Sequence, residues 1–120
     1  MEVQITYIVK NILRDGGLTW KYLGYGYILA AIDLIQQNEH VLNNVCKVLY
    51  VDIAKQFETT PEAVERNMRH AIHVLCNNGA FGSDLFFKIF GVIEYVPSNK
   101  MFLRSIYEYA KYEYLISAHS

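Results

Sequence analysis

Proline is scarce in this chain, with only Pro61 and Pro97 among 120 residues, and helical periodicity dominates the sequence. No apolar run approaches the roughly 18 residues that a membrane helix needs, which excludes a spanning segment. The N-terminal residues also lack the basic start and apolar core of a secretory signal. Cysteine is equally scarce, because Cys46 and Cys76 stand alone without a C-x-x-C pair or a disulfide framework. Free thiols without an export signal predict a reducing, cytoplasmic location.

The chain also lacks the basic excess that is usual in a nucleic-acid binder, since its net charge is −1. The same balance holds locally between Val45 and Val74, where basic and acidic residues are equal in number. Any positively charged surface for nucleic acid must therefore be confined to one face of the domain. The residues that cancel are Lys47, Lys55, Arg66 and Arg69 against Asp52, Glu58, Glu62 and Glu65.

Apolar residues make up 52% of the chain, a globular composition that is sufficient for a single core. Apolar residues at helical spacing predict a first helix that ends at Asp15-Gly16-Gly17 and a second from about Thr19 to Gln37. Gly24 and Gly26 weaken the start of the second helix but permit close packing. A third helix is expected over about 44–57, with an apolar stripe formed by Val45, Val48, Leu49, Ile53, Ala54 and Phe57.

The start of the fourth predicted helix carries the strongest local signal. Thr60 is suited to cap it, and Pro61 to occupy its first position, where a missing N–H has no consequence. A register in which Thr59 is the cap and Glu62 completes a capping box is equally compatible with the sequence. The helix is expected to span 61–77 and to end at Asn78-Gly79.

Two further helices complete a single domain over residues 1–120. Ser83 begins a short helix that ends at Gly91, and residues 92–96 suit an extended linker because they are β-branched and aromatic. The last helix follows Pro97-Ser98-Asn99 and runs to about Leu115. We therefore predict an all-α domain of about six helices without a wing. Its third and fourth helices have the pattern of a helix-turn-helix, with 44–57 as support helix and 61–77 as recognition helix.

The two faces of the predicted recognition helix differ sharply in composition. Arginine on its polar face can bond guanine O6 and N7 together, and glutamate can accept from cytosine N4. Thr59, Thr60 and the free amides at the helix start suit a phosphate. The apolar side contains Val64, Met68, Ala71, Ile72 and Leu75, and the polar side contains Glu62, Glu65, Arg66, Arg69, His70 and His73.

The same polar face has a simpler interpretation as a solvated helix surface. Glu62 with Arg66, and Glu65 with Arg69, have the spacing of ordinary i,i+4 ion pairs. Periodicity alone does not decide between groove reading and a solvated face.

The run from Lys47 to Ile72 closely resembles the effector domain of the sporulation-initiation response regulators, the master transcription factors of endospore-forming bacteria. The family's counterpart reads K-V-L-Y-P-D-I-A-K-K-F, then T-T, then V-E-R-A-I-R-H-A-I. Weaker similarity extends upstream to residues 24–27, and downstream to Phe90-Gly91 and Pro97-Ser98-Asn99.

The resemblance implies a six-helix effector domain that regulates transcription without a cofactor and binds a short duplex element with a TCGA-like core, often in tandem copies. It assigns base contacts to Glu65, Arg66, Arg69 and His70. It places Lys55 and Thr60 at backbone phosphates. The segment after the recognition helix is where the family meets the RNA polymerase sigma subunit. The last helix, which pairs neighbouring domains as a homodimer, carries Phe102, Ile106, Tyr109 and Ala110.

Several positions depart from the family pattern. The family's phosphorylatable receiver domain has no counterpart here, so the chain is either an excised effector domain or a free-standing relative, and Met1 favours the second. Val51 replaces a proline, and Asn77-Asn78 replaces a more basic helix end. The tail at 107–114 is more aromatic and less basic. These changes predict weaker phosphate binding, so that sequence preference carries over better than affinity.

Other classes of function have less support. His70, His73 and Cys76 suggest zinc, but steps of three residues drift about 60° each around a helix, and no fourth ligand is evident. The sequence has no nucleophile elbow and no paired carboxylates, which argues against an enzyme. Residues 24–27 lack the pattern of a phosphate loop, so a packing role is expected for them.

The main rival is a protein-interaction module built on a degenerate helix-turn-helix. The neutral net charge supports it, and so does the crowding of rings on the last helix, which can form a partner surface. Packing of those rings on their own core is the alternative. The aromatic residues concerned are Phe102, Tyr107, Tyr109, Tyr112 and Tyr114.

Overall fold

The computed structural model describes residues 2–77, 83–91 and 95–118. The fold is all-α, as predicted, and no strand occurs within these ranges. Across the described ranges, no helix combines the length and the apolarity needed to cross a bilayer. The α-helices in chain order are α1 (Glu2–Asp15), α2 (Leu23–Gln37), α3 (Tyr50–Gln56), α4 (Pro61–Asn77), α5 (Ser83–Phe90) and α6 (Asn99–Ala118).

One hydrophobic core joins all six helices. Helix α6 packs on α1, while α2 lies against both α1 and α4. Each large aliphatic side chain that is fully buried contributes about 1.5–3 kcal/mol, so this cluster is the main source of stability. Its fully buried members include Val9 and Leu13 of α1, Ile28 and Ile32 of α2, Ile53 of α3, Met68 and Ile72 of α4, and Phe102, Leu103 and Ile106 of α6.

Helix α1 ends at Asp15, where the sequence predicts its end. Gly17 adopts a φ of 88°, a left-handed conformation that glycine accepts at no steric cost. The amide of Leu18 then donates to the carbonyl of Leu13 at 2.9 Å, and its side chain turns back into the core. The glycine pair therefore reverses the chain and seals the end of the helix.

Helix α2 begins at Leu23, later than the predicted Thr19, and it ends at Gln37 as predicted. The residues before it form tight turns instead of a helix. The amide of Tyr22 donates to the Thr19 carbonyl at 3.1 Å, and the Lys21 amide approaches the Thr19 hydroxyl at 3.4 Å. Thr19 thus organises a turn between α1 and α2.

The prediction of one continuous helix over 44–57 is wrong for the residues before Tyr50, because they are not wound as an α-helix. A 3-10 segment, Glu39–Asn44, and a π-helical segment, Val45–Leu49, precede the α-helical Tyr50–Gln56. In an α-helix, four residues rotate around the axis by a full turn plus about 40°. A π-helix has more residues per turn, so the same four residues rotate less. The π segment therefore helps to keep Val45, Leu49 and Ile53 on one buried face.

The last two helices follow their sequence signals. Gly91, with a φ of 72°, ends α5, and its amide donates to the Phe87 carbonyl at 2.8 Å. The hydroxyl of Ser98 accepts from the Met101 amide at 3.2 Å at the start of α6. That helix continues to Ala118, beyond the predicted Leu115. The predicted stop at Asn78-Gly79 and residues 92–94 of the predicted linker lie outside the described residues.

Candidate nucleic-acid interface

The turn between α3 and α4 is short and internally bonded. The amide of Phe57 donates to the Ile53 carbonyl at 3.1 Å, and that of Thr59 to the Ala54 carbonyl at 2.9 Å. Between them, Glu58 adopts a φ of 54°, which is uncommon for a residue other than glycine. This left-handed residue redirects the chain from α3 into α4.

Thr60 is the cap of α4. Its hydroxyl accepts from the Ala63 amide at 3.1 Å, and its carbonyl accepts from Val64 at 3.0 Å. Pro61 is the first helical residue, as predicted. The alternative register with Thr59 as cap is therefore wrong, because Thr59 is held by the turn to α3.

The inner face of α4 is fully buried, as its pattern predicts: Val64, Met68, Ala71, Ile72 and Leu75 are completely inaccessible. Helix α2 approaches it at Gly24, where an added Cβ would lie 2.6 Å from Ala71 Cβ and still closer to the Asn67 carbonyl oxygen. Such a contact requires glycine. The expected packing role is thus confirmed for Gly24, whereas a Cβ at Gly26 would only touch the Phe57 ring at 3.6 Å.

Asn99 at the start of α6 connects α4 to α3, and the sequence analysis missed this role. Its side chain is buried, and the amide donates to the Tyr50 hydroxyl at 3.0 Å and to the Glu65 carbonyl at 3.1 Å. A buried polar group bonded in this way resists displacement, because each partner loses a bond if it moves. The only sequence signal was Asn99 within the Pro97-Ser98-Asn99 similarity.

The outer face of α4 presents the residues that the resemblance assigns to bases. Arg66, Arg69 and His70 are exposed and Glu65 is half-buried. Arg69 forms an ion pair with Glu65 one turn earlier, as the spacing predicts. Arg66 has no ion-pair or hydrogen-bond partner among the described residues, so the alternative pairing with Glu62 is absent there.

The expected phosphate-contact residues surround the start of α4. Lys55 and Thr60 are exposed, and Thr59 is half-buried. Lys55 lies in the last turn of α3, next to Ala54, to which Thr59 is bonded. A cation and two hydroxyl residues therefore lie on one side of the turn, next to the helix start.

The structure corrects the partner surface expected on α6. Phe102 and Ile106 are fully buried in the core, so they stabilise the fold instead of forming a surface. Tyr109 is half-buried, and burial, together with the charge of Glu113, raises its pKa. The exposed apolar residues of this helix lie further along, at Tyr112, Leu115 and Ile116.

Two tyrosines of the aromatic tail are packed rather than free. The hydroxyl of Tyr107, whose side chain is buried, donates to Glu39 Oε2 at 2.8 Å, and Lys111 Nζ donates to the same oxygen at 2.9 Å. Tyr114 is half-buried against the core. The α6 rings thus divide between internal packing and exposure.

In the described part of the chain, the sulfur and imidazole groups do not form a metal-binding cluster. Within the described residues, no group of three or more His, Cys, Asp or Glu side chains is arranged to hold a metal ion. His73 is exposed, and Cys76 is half-buried, with a pKa raised by burial. The side chain of Cys46 lies outside the described residues.

The helical fold and the exposed basic face agree with one comparison with known families. The family described as sporulation initiation factor Spo0A C terminal matches residues 9–110, which is most of the chain. The chain belongs to this family. The Spo0A C-terminal family is a sporulation-related, helical DNA-binding effector domain and not an enzyme family.

The Spo0A C-terminal match contains all of α2 to α5, and so includes α3, α4 and the turn between them. It ends at Ala110, inside α6. Residues 111–118, which include Tyr112, Leu115 and Ile116, therefore lie outside the match. The family resemblance supports duplex DNA as the partner of the matched part, and it says nothing of the exposed apolar end of α6.

Proposed function

We propose that this chain is a sequence-specific transcription regulator that places α4 in the major groove of duplex DNA. The observation that carries the proposal is the complete separation of the two faces of α4. Its inner residues are inaccessible, while Arg66, Arg69 and His70 are exposed on a helix fixed by Gly24 and Asn99. A recognition helix needs this combination of a rigid attachment and a free polar face.

The base-reading roles follow from the state of each side chain. Arg66 is unpaired among the described residues, so its guanidinium is available for bidentate bonding to guanine O6 and N7. Glu65 and Arg69 already form a pair. A glutamate that accepts from cytosine N4 beside an arginine that donates to guanine suits a C-G step, which the TCGA-like element of the family contains.

The phosphate-binding roles belong to Lys55, Thr59 and Thr60. The Thr60 hydroxyl oxygen accepts from Ala63, which leaves its hydrogen free to donate to a phosphate oxygen. The N-terminus of α4 adds the Glu62 amide, which has no partner among the described residues, and the positive end of the helix dipole. These groups would set the orientation of the helix on DNA without reading sequence.

Contacts beyond DNA extend the proposal. The family resemblance places the polymerase sigma subunit after the recognition helix, and α5 there exposes Phe87 and Lys88. Pairing on tandem elements would fall to the exposed side of α6, since Phe102 and Ile106 are buried.

The test is a fluorescence-anisotropy titration with a duplex carrying the TCGA-like element and with a scrambled duplex, each at two salt concentrations. We expect tighter binding to the element and weaker binding to both duplexes as salt rises. Arg66→Ala and Arg69→Ala should each reduce specific binding by about 1–3 kcal/mol and leave scrambled binding nearly unchanged. Lys55→Ala should weaken both duplexes alike and flatten the salt dependence.

Lys88→Ala on α5 is the matched control, because it removes one exposed cation far from α4 in sequence and should leave DNA binding unchanged. Equal losses on both duplexes for the arginine variants would refute base reading. Absence of binding even at low salt would favour a second function, a protein-interaction module. The exposure of Tyr112, Leu115 and Ile116 on one helix end is the observation that supports that second function.

A further inference from the structure

A second basic surface lies at the turn between α1 and α2, apart from the predicted base-reading residues. It is a cleft of about 260 Å³ whose lining combines three cations with aromatic rings. We call it the α1–α2 cleft. Its lining residues are Lys10 and Arg14 of α1, Leu18, Thr19, Trp20 and Lys21 of the turn, and Tyr25 of α2.

Trp20 is the most unusual member of the α1–α2 cleft. It is the only tryptophan in the chain, and 78% of it is exposed. An indole ring is apolar over most of its surface and carries one N–H donor, so tryptophan is enriched where proteins meet partners. Its exposure beside three cations indicates a ligand that is anionic and also offers some apolar surface.

The cations of the α1–α2 cleft are available to an anion. Lys10 and Lys21 are exposed and have no ion pair among the described residues. Arg14 lies 3.8 Å from the Asp15 carboxylate, but both side chains are about two thirds exposed. Pairs of this kind contribute little, because water and salt screen them.

The turn that lines the α1–α2 cleft leads directly into residues that contact α4. The Tyr22 ring, directly after Lys21, lies 6.1 Å from the His70 ring. Gly24 follows and rests on the backbone of α4 at Asn67. The turn that carries Trp20 and Lys21 therefore borders α4 on the side of His70.

We propose that the α1–α2 cleft binds the phosphate backbone of the same duplex, beside the groove that α4 enters. Lys10, Arg14 and Lys21 neutralise phosphates, and the Trp20 ring lies against deoxyribose. This inference rests on the proposed function. It supplies the positive charge that the helix-turn-helix lacks, because the cations of that segment are balanced by equal numbers of acidic residues.

The experiment compares two duplexes, one limited to the TCGA-like element and one extended by about a helical turn on each side. The full chain is titrated with both over a range of salt concentrations. Each phosphate contact adds about 0.9 to the slope of log affinity against log salt. We expect a steeper slope on the long duplex for the unmodified chain, and a loss of about 0.9 from that slope in Lys21→Ala.

The matched control is Lys88→Ala, which removes an equivalent exposed charge from α5. It should leave both slopes unchanged. Trp20 gives an independent readout, since it alone reports tryptophan emission. That emission should change at saturation with the long duplex and stay nearly constant with the short one.

Several outcomes separate this inference from the proposed function. If the chain binds the short duplex specifically, but Lys21→Ala and the unmodified chain have equal salt slopes on the long duplex, the proposed role of the cleft is wrong and the proposed function stands. A Trp20 emission change with polyglutamate, but none with the long duplex, assigns the cleft to an acidic protein and also overturns it. Failure of the unmodified chain to bind either duplex overturns the proposed function, and the inference with it.

Discussion

Helices α4 and α6 are both amphipathic, but they differ in which of their polar and apolar residues are buried and which are exposed. On α4 the apolar residues are buried and the charged ones are exposed. On α6 polar groups make internal contacts, through Asn99, Tyr107 and Lys111. Its far end exposes apolar residues, including Tyr112. Substitution of a polar residue should therefore affect binding on α4 and stability on α6.

The largest expected effect on stability is at Gly24, where α2 packs against α4. Gly24→Ala places a methyl group against the Asn67 carbonyl and the Ala71 side chain. Backbone on one side cannot move aside cheaply, so we expect a loss of about 2–3 kcal/mol in the free energy of unfolding. Urea denaturation followed by circular dichroism measures this loss.

Gly26→Ala, two residues along the same helix, is the control for Gly24→Ala. Its added methyl would lie 3.6 Å from the Phe57 ring, an ordinary contact. Since alanine is the better helix former by about 1 kcal/mol, this variant should be as stable as the unmodified chain or more so. If the two variants have the same stability, the close approach of α2 to α4 is not what fixes α4.

A smaller effect is expected at Asn99, which shows that a polar residue of α6 can serve the fold. Asn99→Ala removes the bonds to the Tyr50 hydroxyl and the Glu65 carbonyl. The expected loss is about 1–2 kcal/mol in the free energy of unfolding, because the Tyr50 hydroxyl and the Glu65 carbonyl each lose a hydrogen bond. Thermal unfolding of Asn99→Ala and of Lys100→Ala, an exposed neighbour, measures it. An equal melting temperature for both variants would contradict the role of Asn99.

The smallest effect concerns Glu39, which ties α6 to the segment after α2. Hydrogen bonds from Lys111 and Tyr107 lower the pKa of Glu39 below its ordinary value of 4.5. Its stabilisation is therefore complete above that value and is lost as the pH falls through the lowered pKa. The carboxylate is half exposed, so we expect only about 0.2–1 kcal/mol.

Urea unfolding of Glu39→Gln and of the unmodified chain at pH 7 and pH 3 tests the Glu39 contact. The unmodified chain should be more stable at pH 7, and the difference should be smaller at pH 3 because part of the stabilisation is lost on protonation. Glu108→Gln removes a charge from α6 that has no hydrogen bond among the described residues, and it should show no such change. A difference for Glu39→Gln that is equal at both pH values would exclude the carboxylate as its source.

Local signals account for what the sequence predicted well. Helix α4 begins where predicted because Thr60 and Pro61 act on their immediate neighbours, and its buried face follows from apolar spacing. The winding before Tyr50 could not be predicted in this way. It depends on which side chains the finished core accepts, and no residue there marks a π turn.

The exposed residues of the candidate site could be predicted from the sequence, but the contacts that hold α4 in place could not. The exposure of Arg66 and Arg69 follows from periodicity, as does the pair with Glu65. The bonds of Asn99 join residues that are far apart in the sequence, where no spacing rule applies. Phe102 was assigned to a surface because the resemblance identifies a helix without specifying which of its faces is free.

The separation of the two faces of α4 also determines how the domain can diversify. Among the described residues, the side chains that pack α4 against the core are inaccessible, whereas Arg66 and Arg69 are exposed on its outer face. Changes at Arg66 or Arg69 can therefore accumulate with little effect on folding, since isolated surface substitutions usually alter stability by less than about 0.5 kcal/mol. If α4 reads DNA as proposed, a lineage can therefore explore new operator sequences one exposed residue at a time, while the buried scaffold is inherited unchanged.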